Sequence, residues 1–186
     1  MTTTLRIKNM VCRHCVAALT GFLDSLGIAH GEVRIGSADI ECELDATQLA
    51  KLDNGLAELG FERITDADEA LVEATKHAIM EHVRDADHCR LKISACIADN
   101  VGASYDTLSR IFSRHEGRTI EQYTMAQRVE YVKELLGYGE RTLAEIADMA
   151  GYSSAAHLSR QFKAVTGMTP TAWLSVAPHR IPLDKV

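Results

Sequence analysis

The chain has 186 residues, 46% of them apolar and 25% charged, and no run of about eighteen apolar residues of the kind a bilayer span needs, which is the profile of a globular protein of one or two compact domains. The opening residues, Met1-Thr2-Thr3-Thr4-Leu5-Arg6, lack the basic and then apolar pattern of an export signal, so the expected location is the cytosol. Net charge is −6, with 6 Lys and Arg against 12 Asp and Glu in residues 1–70 and 14 against 14 in residues 71–186; this excludes a broad basic surface in either part, and any DNA contact in the rear would rest on a few placed cations and helix N-termini.

Leu5-Arg6-Ile7-Lys8 alternates as a strand does. From Cys15 to Leu26, Val16, Leu19, Leu23 and Leu26 fall on one helical face, and Gly27 ends that helix. Glu32 to Ile35, a Gly36-Ser37 turn and Ala38 to Leu44 predict a hairpin. Ala46 to Leu59 is a second amphipathic helix closed by Gly60, and Phe61 to Ile64 is a short last strand. The order βαββαβ in about 60 residues predicts a ferredoxin-like sandwich over residues 1–65, with both helices on one face of a four-stranded antiparallel sheet.

Five cysteines, an odd number without an export signal, argue against a disulfide framework and give weight to close pairs. Cys12 and Cys15 stand in Asn9-Met10-Val11-Cys12-Arg13-His14-Cys15, where the first strand meets the first helix. Both sulfurs can converge on one ion, and a helix N-terminus favours the thiolate that soft metals bind. Alone, a Cys-x-x-Cys fits metal, redox chemistry or neither. Inside a βαββαβ unit, with Met10 two residues before the first cysteine, it resembles the heavy-metal-associated domain of copper chaperones, metal-pumping ATPases and mercury-binding proteins over Thr4 to Ile64. The family commonly has Gly-Met-Thr or Gly-Met-Ser where this chain has Asn9-Met10-Val11. The resemblance implies Cys12 and Cys15 as metal ligands, with Phe61 beside them and His14 and Met10 near. Met10 reads as core and His14 as solvated. Two thiolates suit Cu(I) first, then Hg(II), whereas Zn(II) needs two more ligands. Cys42, placed late in the third strand, reads as a structural or exposed thiol.

After Asp66 no strand pattern occurs, and Asp66 with Glu69 three residues on announces a helix. The second domain, residues 66–176, is all-helical and contains a repeat: Thr107-Leu108-Ser109-Arg110-Ile111-Phe112 matches His157-Leu158-Ser159-Arg160-Gln161-Phe162 at a separation of 50, continuing through Gly117 with Gly167, Thr119 with Thr169 and Tyr123 with Trp173. Upstream, Ile97-Ala98-Asp99 and Gly102 echo Ile146-Ala147-Asp148 and Gly151. Each copy reads helix, glycine turn, helix, which is the helix-turn-helix unit. In the second copy Thr142 and Glu145 form a capping box, Leu143, Ile146, Ala147 and Ala150 face inward, and Ser153 or Ser154 starts a helix with Leu158, Phe162 and Val165 inward. Thr119 with Gln122 caps a long helix to Leu136 that joins the units, its inner residues being Ile120, Tyr123, Val129, Val132 and Leu136. Cys89 and Cys96, with Asp87 and His88 near, read as burial or chance before a metal site. Residues 177–186 are a tail.

Leu143-Ala144-Glu145-Ile146-Ala147, Ala150-Gly151-Tyr152, His157 to Lys163 and Gly167-Met168-Thr169-Pro170 resemble the DNA-binding domain of the AraC/XylS transcription regulators, from about Asp68 to Val176. The first copy departs from the family pattern over Lys92 to Asn100 and carries Cys96 there. The resemblance implies that Ser104, Tyr105, Asp106, Ser109 and Arg110 in the first unit, and Ser154, Ala155, Ala156, Ser159 and Arg160 in the second, face double-stranded DNA. Arg110 and Arg160 lead because arginine can bond guanine bidentately. RNA polymerase is a further partner, and the chain works as monomer or homodimer. A metal-responsive regulator is the leading expectation; a redox-sensing regulator using the same cysteines and a metal carrier with a docking bundle are alternatives. An enzyme is not expected, for no phosphate loop, paired carboxylates or Ser/His/Asp array is present.

Overall fold

The computed structural model describes residues 3–84 and 92–176. The chain divides into two compact units, Met1–His77 and Ala78–Val186.

The front unit runs β1 (Thr3–Lys8), α1 (Arg13–Ser25), β2 (His30–Arg34), β3 (Ser37–Ile40), α2 (Ala46–Glu58) and β4 (Glu62–Ile64), with an antiparallel sheet in the order β2-β3-β1-β4. Ile7, Ala38 and Ile40 of the sheet share one core with Leu19 and Leu23 of α1 and Leu52 and Leu56 of α2, as the helical spacing of those leucines requires. The helices approach closely at Gly55, where a Cβ would stand 2.1 Å from the Phe22 ring. β3 is shorter than its sequence pattern suggests: it ends at Ile40, which pairs with Thr3 of β1, and Cys42 lies beyond the strand. Phe61 also stands outside its strand, because its N–H donates to Leu56 O and closes α2 over the left-handed Gly60.

A further helix, α3 (Ala67–Arg84), starts on the Asp66 cap, whose carboxylate accepts from the Glu69 N–H. Glu69 itself reaches Lys8 Nζ at 2.8 Å, and Glu62 holds the same ammonium at 2.9 Å. The two carboxylates keep the lysine charged, Glu69 most strongly. Residues 67–77 of α3 belong to the front unit and 78–84 to the rear.

The rear unit continues with α4 (Ile93–Val101), α5 (Tyr105–Glu116), α6 (Ile120–Tyr138), α7 (Leu143–Met149), α8 (Ala155–Thr166) and α9 (Pro170–Ser175). α6 begins on the Thr119 and Gln122 box and α7 on the Thr142 and Glu145 box. Buried residues occur all round α6, among them Tyr123, Val129, Val132 and a Lys133–Glu130 ion pair, which marks it as the central helix. Ile146, Ala147, Leu158, Phe162 and Trp173 form the second-copy core with Val129 and Val132. Val165, expected inward, is 41% exposed. The core closes one turn earlier, where Phe162 meets Trp173 edge-on at 6.1 Å, so the last turn of α8 overhangs it.

His82 of α3 is a titrating weak point in this unit. Burial, and then the charge of Arg128, lower its pKa from the usual 6.5, and its Nδ1 is buried without a partner. Between the folded and unfolded values the unfolded chain binds more protons, so this contribution to stability is present above about pH 6.5 and lost as pH falls through the folded pKa. Acidification from about pH 7 to about pH 5 is expected to lower the melting temperature, with a smaller decline in a His82→Gln variant, as thermal unfolding at each pH would read.

Candidate nucleic-acid interface and dithiol loop

The two halves of the rear unit are built on one local plan. Ser104 caps α5 by accepting from the Thr107 N–H, and Ser154 caps α8 by accepting from the His157 N–H, so Ser154 and not Ser153 starts the second helix. Gly117 and Gly167 end these helices in the left-handed conformation, and Thr119 and Thr169 cap the helices that follow. Burial repeats in the same register: Leu108 with Leu158 and Phe112 with Phe162 face inward, Ser109 and Ser159 are half-buried, and Arg110 and Arg160 are exposed.

One face of each helix is therefore presented outward. Ser104, Asp106 and Arg110 are exposed on the first, and Ser154, Ala156 and Arg160 on the second, with Ala155 half-buried. Neither Arg110 nor Arg160 has an ion-pair partner among the described residues. This removes the plainest structural role an isolated surface arginine has. Tyr105 is placed differently from its neighbours. It is half-buried, and its hydroxyl donates to Glu121 of α6 at 2.5 Å, so that side chain is engaged within the protein. Burial first, then the Glu121 bond, push its pKa up. Asp106 sits in the first turn of α5, where the helix dipole favours a carboxylate without any ligand. Lys163, exposed one turn beyond Arg160, extends the cationic edge of α8; the repeat could not reveal it because its counterpart is Ser113.

In the front unit Cys12 caps α1 without a side-chain bond, and its sulfur lies 3.6 Å from that of Cys15. Both are free and half-buried. The backbone N–H of Cys15 holds the Cys12 thiol below the ordinary range, helped by the Cys15 thiol and by His14 and opposed by burial. Asn9, the one residue other than glycine with positive φ among those described, donates from Nδ2 to Gly60 O at 3.1 Å and ties the Cys12 loop to the turn before Phe61. Met10 is fully buried in the core, Phe61 is buried, and His14 is exposed. Among the described residues no group of three or more His, Cys, Asp and Glu could hold a metal together. The donor set is two thiols, which fits a two-coordinate soft ion and leaves Zn(II) two ligands short. Timed iodoacetamide alkylation read by mass spectrometry should give Cys12 a midpoint below the ordinary thiol range, and Cys15→Ser should preserve most of the lowering because the backbone N–H remains.

Of the other cysteines, Cys42 is free and half-buried, while Cys96 is buried in α4 and disulfide-bonded, against the expectation from cysteine count. Asp87, His88 and Cys89, and the tail 177–186, lie outside the described residues. Among the described residues no helix is long and apolar enough to cross a membrane.

Residues 97–175 match the family model of a helix-turn-helix domain. The chain is 37% identical over 84 residues to a Streptomyces lividans protein described as an AraC-like transcription regulator, covering 45% of this chain and 28% of that one. Residues 97–175 are similar to a helix-turn-helix domain. LumQ of Photobacterium leiognathi, described as a transcriptional regulator, is 26% identical over 107 residues, or 57% of this chain and 43% of its own. Among solved structures, the C-terminal domain of AraT, a response regulator from Geobacillus stearothermophilus, is similar with a TM-score of 0.50 and 25% identity over 60% of this chain and 88% of that one. The chain spans less than half the length of the two curated relatives. The matched residues run from within α4 through α9 and so take in most of the duplicated helices α4–α5 and α7–α8, and the dithiol loop lies outside them.

Proposed function

We propose that this chain is a sequence-specific DNA-binding transcription regulator whose front unit, read as a ferredoxin-like heavy-metal-associated domain, senses a soft metal ion through Cys12 and Cys15. The observation that carries the DNA reading is the pair Arg110 and Arg160, exposed, without ion-pair partners among the described residues and in the same register of two helices built alike. Two such helices let a monomer contact two major-groove segments, so the reading does not require a dimer. The metal reading is supported by two free thiols 3.6 Å apart with Cys12 favoured as thiolate. Cu(I) fits that donor set best, Hg(II) next, and Zn(II) would need a second chain. The single helix α3 contributes to both units and gives the response a covalent route. The same 3.6 Å separation also suits a Cys12 to Cys15 disulfide, so redox sensing is the second reading.

The full chain, used to select an operator from random duplexes and then assayed by gel shift, tests this. Wild type with and without Cu(I) is expected to differ in operator affinity by about fivefold or more, and a Cys12→Ser/Cys15→Ser variant should show one affinity in both states. Equal affinity in all cases removes the metal response and keeps DNA binding. Failure to enrich any sequence removes the DNA reading. A shift produced by oxidant, reversed by dithiothreitol, absent with Cu(I) and lost in the Cys12→Ser/Cys15→Ser variant assigns those thiols to redox sensing, whereas one retained in the variant belongs to the Cys96 disulfide.

A further inference from the structure

The rear unit contains a cleft of about 300 Å³ whose lining includes neither Arg110 nor Arg160. Its floor is one stripe of α6, Glu121, Thr124, Met125 and Arg128, spaced so that they share a face over roughly 10 Å. Ile93 of α4, Tyr105 of α5, Ile120 and Gln122 of α6 and Gln161 of α8 complete the lining. Most polar groups in it are already engaged: Tyr105 with Glu121, Thr124 with Ile120 O, Gln122 with the Thr119 N–H. Arg128 and Gln161 both line the cleft and have no hydrogen-bond or ion-pair partner among the described residues. Arg128 is half-buried, and its guanidinium lies 3.8 Å from where a Cβ on Gly151 would stand. Its charge also acts on His82 and Tyr152, whose Nδ1 and Oη are both buried without partners. A half-buried cation in a neighbourhood of unmet polar groups, opening on apolar walls, is short of an anion.

We propose that this cleft binds a small apolar carboxylate, with its anionic group on Arg128 and Gln161 and its hydrocarbon body against Ile93, Ile120 and Met125. Small-molecule sites have this composition, mostly apolar with a few convergent polar groups that fix orientation. The arrangement also bears on regulation, since Tyr105 and Gln161 belong to the two recognition helices and an occupant would touch both. The site is independent of the thiols in the front unit, so it stands or falls apart from metal sensing.

Titration of the full chain, without DNA, with 2-naphthoate and its neutral isostere 2-naphthamide, followed by amide NMR shifts, tests the site. Saturable 2-naphthoate binding is expected with a Kd of roughly 0.1–1 mM and shifts centred on Met125 and Arg128. Arg128→Gln should weaken it about tenfold or more and leave the weaker 2-naphthamide binding unchanged, since only the charge-assisted bond is lost. Met125→Trp, which fills the cleft and keeps the cation, should abolish binding with helicity retained by circular dichroism, so a folding defect in one variant does not decide the matter. Absence of saturable binding, or equal affinity for the two ligands, overturns the proposal. So does an Arg128→Gln protein that keeps 2-naphthoate affinity but binds DNA with a salt slope smaller by about 1, which assigns Arg128 to a phosphate.

Discussion

A Phe162→Ala substitution is expected to destabilise the rear unit by about 3–5 kcal/mol, the usual cost of emptying a buried aromatic site. Phe162 is fully buried in α8, in the cluster that holds Ile146, Leu158 and Val129, and it meets Trp173 edge-on with ring planes at 84°. The lost contacts therefore include an aromatic pair worth about 0.5–1.5 kcal/mol beyond its area. Set against the roughly 5–15 kcal/mol that typically holds a domain together, the remainder is small, and the melting temperature should fall by roughly 12 °C or more. Phe112→Ala should behave alike, because Phe112 is fully buried and edge-on to Tyr123 at 5.4 Å. Val165→Ala is the control: with that side chain 41% exposed, its effect should stay within about 0.5 kcal/mol. Urea unfolding of the three variants, with unchanged slope for each, measures the difference. A large loss in Val165→Ala, or a negligible one in Phe162→Ala, would show that the core closes elsewhere than at Trp173.

Features set by local rules are legible in the chain itself. The boxes at Thr119 with Gln122 and Thr142 with Glu145 each satisfy orphan N–H groups within four residues, and both are formed. The repeat at a separation of 50 likewise predicts equal burial for Leu108 and Leu158 and for Arg110 and Arg160, and the fold obeys it. Positions decided by distant partners are not legible in this way. The fate of Tyr105 depends on Glu121, sixteen residues away and on another helix. The register that sets Ile40 opposite Thr3 is a pairing that the alternation of residues 38–44 does not contain. Glu69 has the spacing of a cap residue, yet its carboxylate holds Lys8, 61 residues back. The cleft at Arg128 needs residues from α4, α5, α6 and α8 at once, and no spacing along one helix announces it. At the dithiol loop the pairing of Cys12 with Cys15 follows from their spacing, whereas the Asn9 tether to Gly60 depends on the fold.

Replacing Arg160 with alanine is expected to reduce affinity for the selected operator by about 1–3 kcal/mol, or roughly 5- to 150-fold. Two kinds of contact produce such a loss, and they separate cleanly. If the guanidinium reads a base, the variant relaxes preference at one operator position and keeps its salt dependence; if it holds a phosphate, affinity falls on every sequence and the salt slope shrinks by about 1. The neutral charge balance of residues 71–186 favours the first outcome, because a unit with 14 cations against 14 anions offers little non-specific attraction, and selectivity must come from individual side chains. Arg110→Ala should have the same kind of effect at a different operator position, and the double variant should lose about the sum, since the two arginines sit on separate helices and share no partner among the described residues. The pairing makes the experiment discriminating. Should Arg160→Ala weaken binding while Arg110→Ala does not, only α8 reads the operator, and the departure of the first copy over Lys92 to Asn100 would then mark a unit retained for packing; should neither matter, the shared register of the two arginines has no role in recognition.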